Sequence, residues 1–479
     1  MSEQNARLIS LDVFRGLTIA GMVLVNNPGT SPVYWPLDHA EWNGLTPTDW
    51  IFPFFLFIVG VSIPIALGRR VEQGITTKTY TKIISRAVSI YLLGLAISVI
   101  PFFDFSKTDA PDTLKLLIWL SMAAGLLFLL LRNYKIAGIL AGVAVLGIIA
   151  MNLAGYNVVP YNFGTMRIMG VLQRIAVCYL ITSLIFLHTN WKQQLYIAGA
   201  MLIGYWLLMT MIPVPGCEVT TMNDKACNLA AYIDRMILTE NHIWRFGKVY
   251  DPEGLLSTIP AIVTTISGVL TGTWLLTGTR SSLLATPQSG VPASGRRMKD
   301  GSETAVKSSP PYEGGVAAAS ADGVVLSDRM NKVSGIFFFG VVLFALAWIW
   351  NSFFPFNKSL WTSSYVLVTS GLALLTFGFC YWLIDIKGYK KWAWPFVVFG
   401  ANALALFVFS GIFARMMSAY KVAYTADGKA ISVQKWTVDN VFLSIFEPIN
   451  ASLAYAISFI LFFLFLMWLL YRKGIYVKV

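Results

Sequence analysis

Residues 49–70 read Asp49-Trp50-Ile51-Phe52-Pro53-Phe54-Phe55-Leu56-Phe57-Ile58-Val59-Gly60-Val61-Ser62-Ile63-Pro64-Ile65-Ala66-Leu67-Gly68-Arg69-Arg70. An apolar run of about 20 residues, closed by an acid at one end and two arginines at the other, has the length a helix needs to cross the hydrocarbon core of a bilayer. Pro53 and Pro64 free backbone groups inside it, which is tolerated only beside protein or a water-filled cavity. Runs of the same kind are centred near Thr18, Gly94, Leu120, Val145, Cys178, Gly204, Ser267, Val342, Leu374, Leu404 and Phe462. With the first run they make about twelve candidate spans. The span at Thr18 is the weakest, because its apolar stretch, 17–25, is short and is bracketed by Asp12, Arg15, Asn26 and Asn27.

Composition agrees with that reading. Hydrophobic residues make up 56% of the 479 residues and charged residues only 13%, with 16 Trp, 20 Tyr and 32 Phe. Ordinary water-soluble cores cannot hide that much apolar surface, so most of it must face lipid. The expected fold class is all-α, a polytopic transmembrane helix bundle of about 12 spans with both termini cytoplasmic. The net charge of +12 has a topological cause in the positive-inside rule and does not call for a nucleic-acid partner. With the amino terminus inside, most Lys and Arg fall on cytoplasmic segments, and the carboxy terminus returns to the same side. The amino-terminal residues are polar and carry no signal-peptide cleavage pattern.

The expected organisation is a membrane bundle over 1–280 holding eight spans, a disordered cytoplasmic linker over 281–332, and a second membrane segment over 333–479 holding four. The linker is rich in Gly, Ser and Pro and poor in aromatics, so it cannot bury enough surface to fold. A second polar stretch, 213–255, lies outside the membrane and reads as an ordered loop, with Tyr232, Trp244 and Tyr250. Cys217 and Cys227 fall in that loop, where an oxidising compartment would join them in a disulfide. Cys178 and Cys380 lie within spans and read as core residues. No Cys-x-x-Cys or Cys/His cluster occurs, so a metal site is not expected.

Only three histidines are present, which narrows the search for chemistry. His188 stands where the sixth span leaves the bilayer, beside Asn190, Trp191 and Lys192, and His242 reads as a loop residue. His39 is different. In Leu37-Asp38-His39-Ala40-Glu41-Trp42-Asn43-Gly44 two carboxylates flank an imidazole at the outer membrane face, and Asp49 follows at the head of the second span. A histidine oriented by a carboxylate can act as a general base or a nucleophile.

The opening Arg7-Leu8-Ile9-Ser10-Leu11-Asp12-Val13-Phe14-Arg15-Gly16, then Val25-Asn26-Asn27-Pro28-Gly29, then His39-Ala40-Glu41-Trp42-Asn43-Gly44-Leu45-Thr46 resemble the heparan-α-glucosaminide N-acetyltransferase family. So do Arg167-Ile168-Met169-Gly170-Val171-Leu172-Gln173-Arg174, Pro213-Val214-Pro215-Gly216-Cys217, Tyr232-Ile233-Asp234-Arg235 and Tyr250-Asp251-Pro252-Glu253-Gly254. The resemblance implies transfer of acetyl from cytosolic acetyl-CoA to the amine of a glucosamine-type sugar across the membrane, with His39 as the catalytic histidine. Compared with lysosomal members, the chain is expected to lack an amino-terminal lumenal domain, to have two extra spans around Leu120 and Val145, and to carry the 281–332 insertion. A bacterial inner-membrane homologue acting on a periplasmic or cell-wall amino sugar fits that plan.

Under this reading His39 is the base or a transient acetyl carrier, and Asp49 orients it. Asn26 and Asn27 are amide donors near the carbonyl, or end-caps of the first span. Glu41, Trp42, Asp251 and Glu253 are candidate contacts for the sugar, the last two alternatively serving the start of the eighth span. Arg167 and Arg174 either bind a charged substrate or form salt bridges inside the bundle. The phosphates of acetyl-CoA need cations, and Arg15, Arg69, Arg70, Lys82 and Arg86 are the candidates, although they also satisfy the positive-inside rule. Acetyl-CoA is the expected co-substrate, with no metal. The expected partners are the amino-sugar acceptor, acetyl-CoA and the lipid bilayer, with a homodimer as a further candidate and no nucleic acid. The competing class is an amino-sugar transporter, because about twelve spans with broken helices also suit alternating access.

Overall fold

The computed structural model describes residues 8–277, 314–424 and 427–477. Among them, eleven helices are long and apolar enough to cross a membrane, and a bent pair brings the number to twelve. The chain is an integral membrane helix bundle, and among the described residues its one sheet is the antiparallel hairpin of β1 (Lys421–Tyr424) and β2 (Ala430–Ser432).

In chain order the helices are α1 (Ile9–Asn26), α2 (Ile51–Glu72), α3 (Thr77–Val99), α4 (Asp112–Leu130), α5 (Tyr134–Leu153), α6 (Val171–His188), α7 (Trp191–Met211), α8 (Leu229–Leu238) and α9 (Thr258–Leu276). They continue with α10 (Gly314–Asn351), α11 (Ser363–Cys380), α12 (Trp394–Ala401), α13 (Ala403–Ala419), α14 (Val433–Thr437) and α15 (Pro448–Arg472). The short α8 lies in the 213–255 loop, which also holds the Cys217–Cys227 disulfide with its Cα atoms 5.8 Å apart.

Three details differ from the sequence expectation. The first span does not end where its apolar stretch ends: α1 runs back to Ile9, because Arg15 pairs with Asp12 at 3.0 Å on the same helix. The run centred near Leu404 is a broken span, α12 and α13, with the two halves bent by 72°. The break falls at Asn402, whose side chain donates to the Ile475 carbonyl at 3.0 Å and accepts from the Val477 N–H at 2.8 Å. A polar residue that spends its amide on the carboxy-terminal tail stabilises a local departure from the helix. The third difference concerns the stretch read as linker, 281–332. Residues 278–313 lie outside the described residues, but α10 begins at Gly314, inside that stretch. Within it Lys332 is buried and pairs with Asp328 at 2.8 Å, an i,i+4 spacing that supports a helix.

The centre of the bundle is α2, sandwiched against α9. Gly60 and Gly268 face each other with no room for side chains: a Cβ on Gly60 would stand 2.0 Å from the Thr265 carbonyl oxygen, and one on Gly268 would stand 2.1 Å from that of Phe57. Small residues let two membrane helices touch backbone to backbone, and dispersion contacts then hold the pair where lipid offers no hydrophobic drive. We therefore expect Gly268→Val to push α2 from α9 at a cost of about 3 kcal/mol, the upper end for overpacking. Its thermal midpoint in detergent should fall sharply. Gly199→Ala, on α7 with nothing within 4 Å of the added carbon, should melt at or above the wild-type temperature.

Candidate functional site

His39 lies in the loop that joins α1 to α2, half exposed, at the end of the bundle where α2 begins. The sequence Thr46-Pro47-Thr48-Asp49 builds its support. Pro47 starts a 3-10 turn over Pro47–Trp50, and Asp49 closes a capping box with Thr46, accepting from the Thr46 N–H at 3.1 Å and its hydroxyl at 3.0 Å. The same carboxylate accepts from the Ala40 N–H at 3.2 Å. Its other oxygen lies 2.7 Å from His39 Nδ1. Asp49 is only 1% exposed, so its orientation is fixed from several sides.

A carboxylate accepts and does not donate, so His39 Nδ1 carries the proton and Nε2 is left with its lone pair. The sequence expectation that Asp49 orients His39 has a direct geometric counterpart. Tyr365 on α11 donates its hydroxyl to the Asp49 backbone carbonyl at 2.6 Å, tying this turn to a helix far along the chain.

A residue that sequence reasoning missed completes the group. Lys358, in the loop between α10 and α11, places Nζ 3.0 Å from His39 Nδ1, 3.3 Å from His39 Nε2 and 3.5 Å from Asp49 Oδ1. Burial pushes its pKa below the ordinary lysine value, with Asp49 and Glu253 opposing the shift. The loop is docked by Asn357, which donates to Asn43 Oδ1 at 3.0 Å and accepts from the Leu360 N–H at 2.9 Å. No sequence pattern links Lys358 to His39; the one local clue is a cation placed beside the aromatic-rich residues 353–361.

The other candidates sort by what they touch. Arg167 holds Asp251, with Nε donating to Oδ2 at 2.9 Å, and it also bonds Glu253. Burial works against the Arg167 charge, but Glu253 and Asp251 outweigh it and hold the guanidinium protonated; Glu253, although buried, is kept below the usual carboxylate range by Arg167 and Arg174. Arg174 is fully buried on α6, donates to the Gly254 carbonyl at 3.1 Å and to Ser257, and stacks on Trp361 at 5.0 Å. Arg167 thus forms ion pairs with Asp251 and Glu253, whereas Arg174 bonds a carbonyl and a hydroxyl and leaves its buried Nε and Nη1 without a hydrogen-bond partner. Trp42 donates to the Met222 carbonyl at 2.7 Å and packs edge-on to Tyr250, while Glu41 is exposed two residues from His39.

Asn27 donates one amide hydrogen to the Val23 carbonyl at 2.7 Å, an end-capping contact on α1. Asn26 is exposed beside it. His188 bonds the Tyr80 hydroxyl at 3.0 Å, and His242 Nδ1 bonds the Met166 carbonyl at 2.7 Å; neither faces a carboxylate in these contacts.

The cationic candidates occupy the other end of α2. At about 1.5 Å per residue, Arg69 and Arg70 stand roughly 30 Å along the helix from Asp49. Arg69, Lys82 and Arg86 are exposed and Arg70 is half-buried, with Arg86 over the Tyr179 ring at 5.2 Å. Arg15 lies deeper, reaching the Ser62 hydroxyl at 3.4 Å and the Gly400 carbonyl at 3.5 Å beside the broken span.

A model of the heparan-alpha-glucosaminide N-acetyltransferase catalytic family matches residues 7–166, a stretch that contains His39 and Asp49. The human heparan-alpha-glucosaminide N-acetyltransferase is 27% identical over 460 residues, covering 86% of this chain and 54% of the human protein. The mouse protein of the same name is 27% identical over 445 residues, covering 84% of this chain and 53% of its own length. The chain is thus similar to this acetyltransferase family over most of its length. It spans about half the length of the curated relatives it matches.

One buried acid near the site reports on pH. Asp234 on α8 is 1% exposed, and burial raises its pKa to about 7 from 3.8 even though the Leu255 N–H donates to it. A pKa higher in the folded state means stability that is complete below about pH 4 and is lost as pH rises through 7. Asp234→Asn should remove that loss. Melting curves at about pH 4 and about pH 8 should show the variant close to wild type at the lower pH and exceeding it at the higher. An equal offset at both would contradict the assignment.

Proposed function

We propose that the chain moves acetyl from cytosolic acetyl-CoA to the amine of a glucosamine-type sugar at the opposite face of the membrane. The observation that carries this reading is the 2.7 Å bond between His39 Nδ1 and the buried Asp49. Transfer to an amine requires a base for the amine proton, stabilisation of the oxyanion and protection of the thioester from water. Asp49 holds the Nδ1–H tautomer, so Nε2 of His39 is available either to take the amine proton or to carry the acetyl group. Similarity to the acetyltransferase family supports the reaction class, and the polytopic bundle supports action at a membrane.

The separation of charges supports the direction. Arg69, Arg70, Lys82 and Arg86 collect at the end of the bundle remote from His39, where the positive-inside rule places the cytoplasm and where phosphates of acetyl-CoA find cations. Arg15, near Ser62, lies between that end and the catalytic pair. At the His39 end, Glu41 and Trp42 flank the acceptor position. Arg167 bridges Asp251 and Glu253, and the remaining carboxylate lone pairs of this group can take sugar hydroxyls. Both termini are then cytoplasmic, and a bacterial inner membrane fits the plan.

Purified protein supplied with acetyl-CoA and glucosamine tests the reading. His39→Ala should abolish formation of the acetylated sugar while the fold persists. Asp49→Asn should lower kcat by on the order of 10²–10⁴, because the imidazole loses its fixed tautomer. Wild-type turnover in His39→Ala would refute the assignment.

A further inference from the structure

Lys358 approaches both nitrogens of His39, at 3.0 and 3.3 Å. The geometry of a five-membered ring restricts how that can happen. An approach within the ring plane from the outer side would drive Nζ into the Cε1–H, and one from the opposite side would pass through ring carbons. Nζ therefore stands over the face of the imidazole, leaving the in-plane Nε2 lone pair open. It is not a simple hydrogen-bond partner of the ring.

The position is anchored by surrounding structure. The Trp361 N–H donates to the Lys358 carbonyl at 3.2 Å, and Trp361 itself is 1% exposed and adopts φ 53°. A bulky residue in that region costs about 1–3 kcal/mol and persists only where its surroundings hold it. Here the indole donates to Thr264 at 3.2 Å and packs against Phe52 and Tyr365.

We propose that Lys358 is a catalytic residue of acyl transfer at His39, donating from its ammonium to the carbonyl oxygen as that oxygen gains negative charge. The inference rests on the acetyltransferase reading given above. In direct transfer, the amine nitrogen bonds to the thioester carbon and the π pair moves onto oxygen. The amine proton passes to His39 Nε2, and C=O re-forms as the C–S bond breaks and CoA leaves as thiolate. If His39 carries the acetyl group, Nε2 attacks the thioester carbon and CoA leaves as thiolate; the amine then attacks the acetyl carbon, and Nε2 departs and takes the amine proton, the same oxygen bearing the charge in both steps. In this route the acyl carbon meets Nε2 near the ring plane, and in direct transfer it lies beyond the amine that Nε2 deprotonates. With the carbonyl oxygen turned to the ring face that Nζ occupies, the ammonium donates to it as its charge grows. A partly desolvated cation is an effective donor there, because little water must be reorganised. The lowered lysine pKa, caused by the same burial, fits such a setting.

The test compares Lys358→Met, Lys358→Gln and Lys358→Arg in the full chain, with His39→Ala as reference. Initial rates of CoA release with acetyl-CoA and glucosamine give kcat and KM, and thermal melts verify folding. Loss of one oxyanion donor predicts a fall in kcat of about 10²–10³ for Met and Gln, with KM for acetyl-CoA unchanged and part of the rate restored by Arg. A folded Met or Gln variant with kcat within about threefold of wild type, while His39→Ala is inactive, overturns the role of Lys358 and leaves the acetyltransferase reading intact. If Met and Gln fail to fold, an Arg variant no faster than His39→Ala overturns it. Wild-type protein that releases no CoA refutes the acetyltransferase reading itself, and this inference with it.

Discussion

A carboxylate inside an apolar bundle is tolerated only when its lone pairs are taken, and Asp49 shows how much structure that condition organises. Its oxygens meet the Thr46 and Ala40 backbone, the Thr46 hydroxyl and His39, with Lys358 at 3.5 Å as countercharge. Those contacts begin α2, fold the 38–46 loop back over it and draw in the loop between α10 and α11. Removing the carboxylate would affect all three elements, so Asp49 links folding to chemistry at one atom group. The resulting tautomer of His39 follows from the same bonds without further assumption.

The remainder of α2 makes that arrangement rigid and gives it a partner at the opposite end. Backbone contact between Gly60 and Gly268 fixes α2 against α9, and Pro64 adds a carbonyl without its usual donor near the level of Ser62 and Arg15. At this depth α1 meets the broken span just as closely: a Cβ on Gly16 would stand 1.8 Å from the Phe396 carbonyl oxygen, and one on Gly400 would stand 2.0 Å from that of Asp12. Polar backbone, an Arg–Asp pair and the end of a half-helix therefore collect inside the bundle, where such groups are costly unless they face protein or water.

How much of this was legible depends on the range of the interaction. Apolar runs of span length fix helices locally, and α2 to α9 could be read in outline from them. The Thr46-Pro47-Thr48-Asp49 cap and the Asp49–His39 pair also lie within a few turns of one another, so the orienting role of Asp49 was readable. Lys358 was not, because it reaches His39 through packing of Asn357 and Trp361 across more than half the chain. Asn27 shows a local bond of another kind, one amide hydrogen going to the Val23 carbonyl on its own helix. Arg167 and Arg174 find partners in Asp251, Glu253 and the Gly254 carbonyl. The break at Asn402 was invisible because a single asparagine hardly alters the hydropathy of its window, and its partners come from the carboxy-terminal tail.

The two charged regions also explain why so few residues need to act at the reacting bond. Cations that recognise phosphate can sit near the water interface, where their own hydration costs little to exchange, whereas His39 must keep a lone pair free and must not be neutralised by solvent ions. Separating them by roughly 30 Å of α2 removes the conflict. On the proposed reading, the nucleotide end and the acyl end of the donor would answer to different parts of the chain, joined by α2, which begins just after Asp49 and carries Arg69 and Arg70 in its last turn. A substitution at the glycine contacts of α2 would therefore disturb both ends together, although it touches neither.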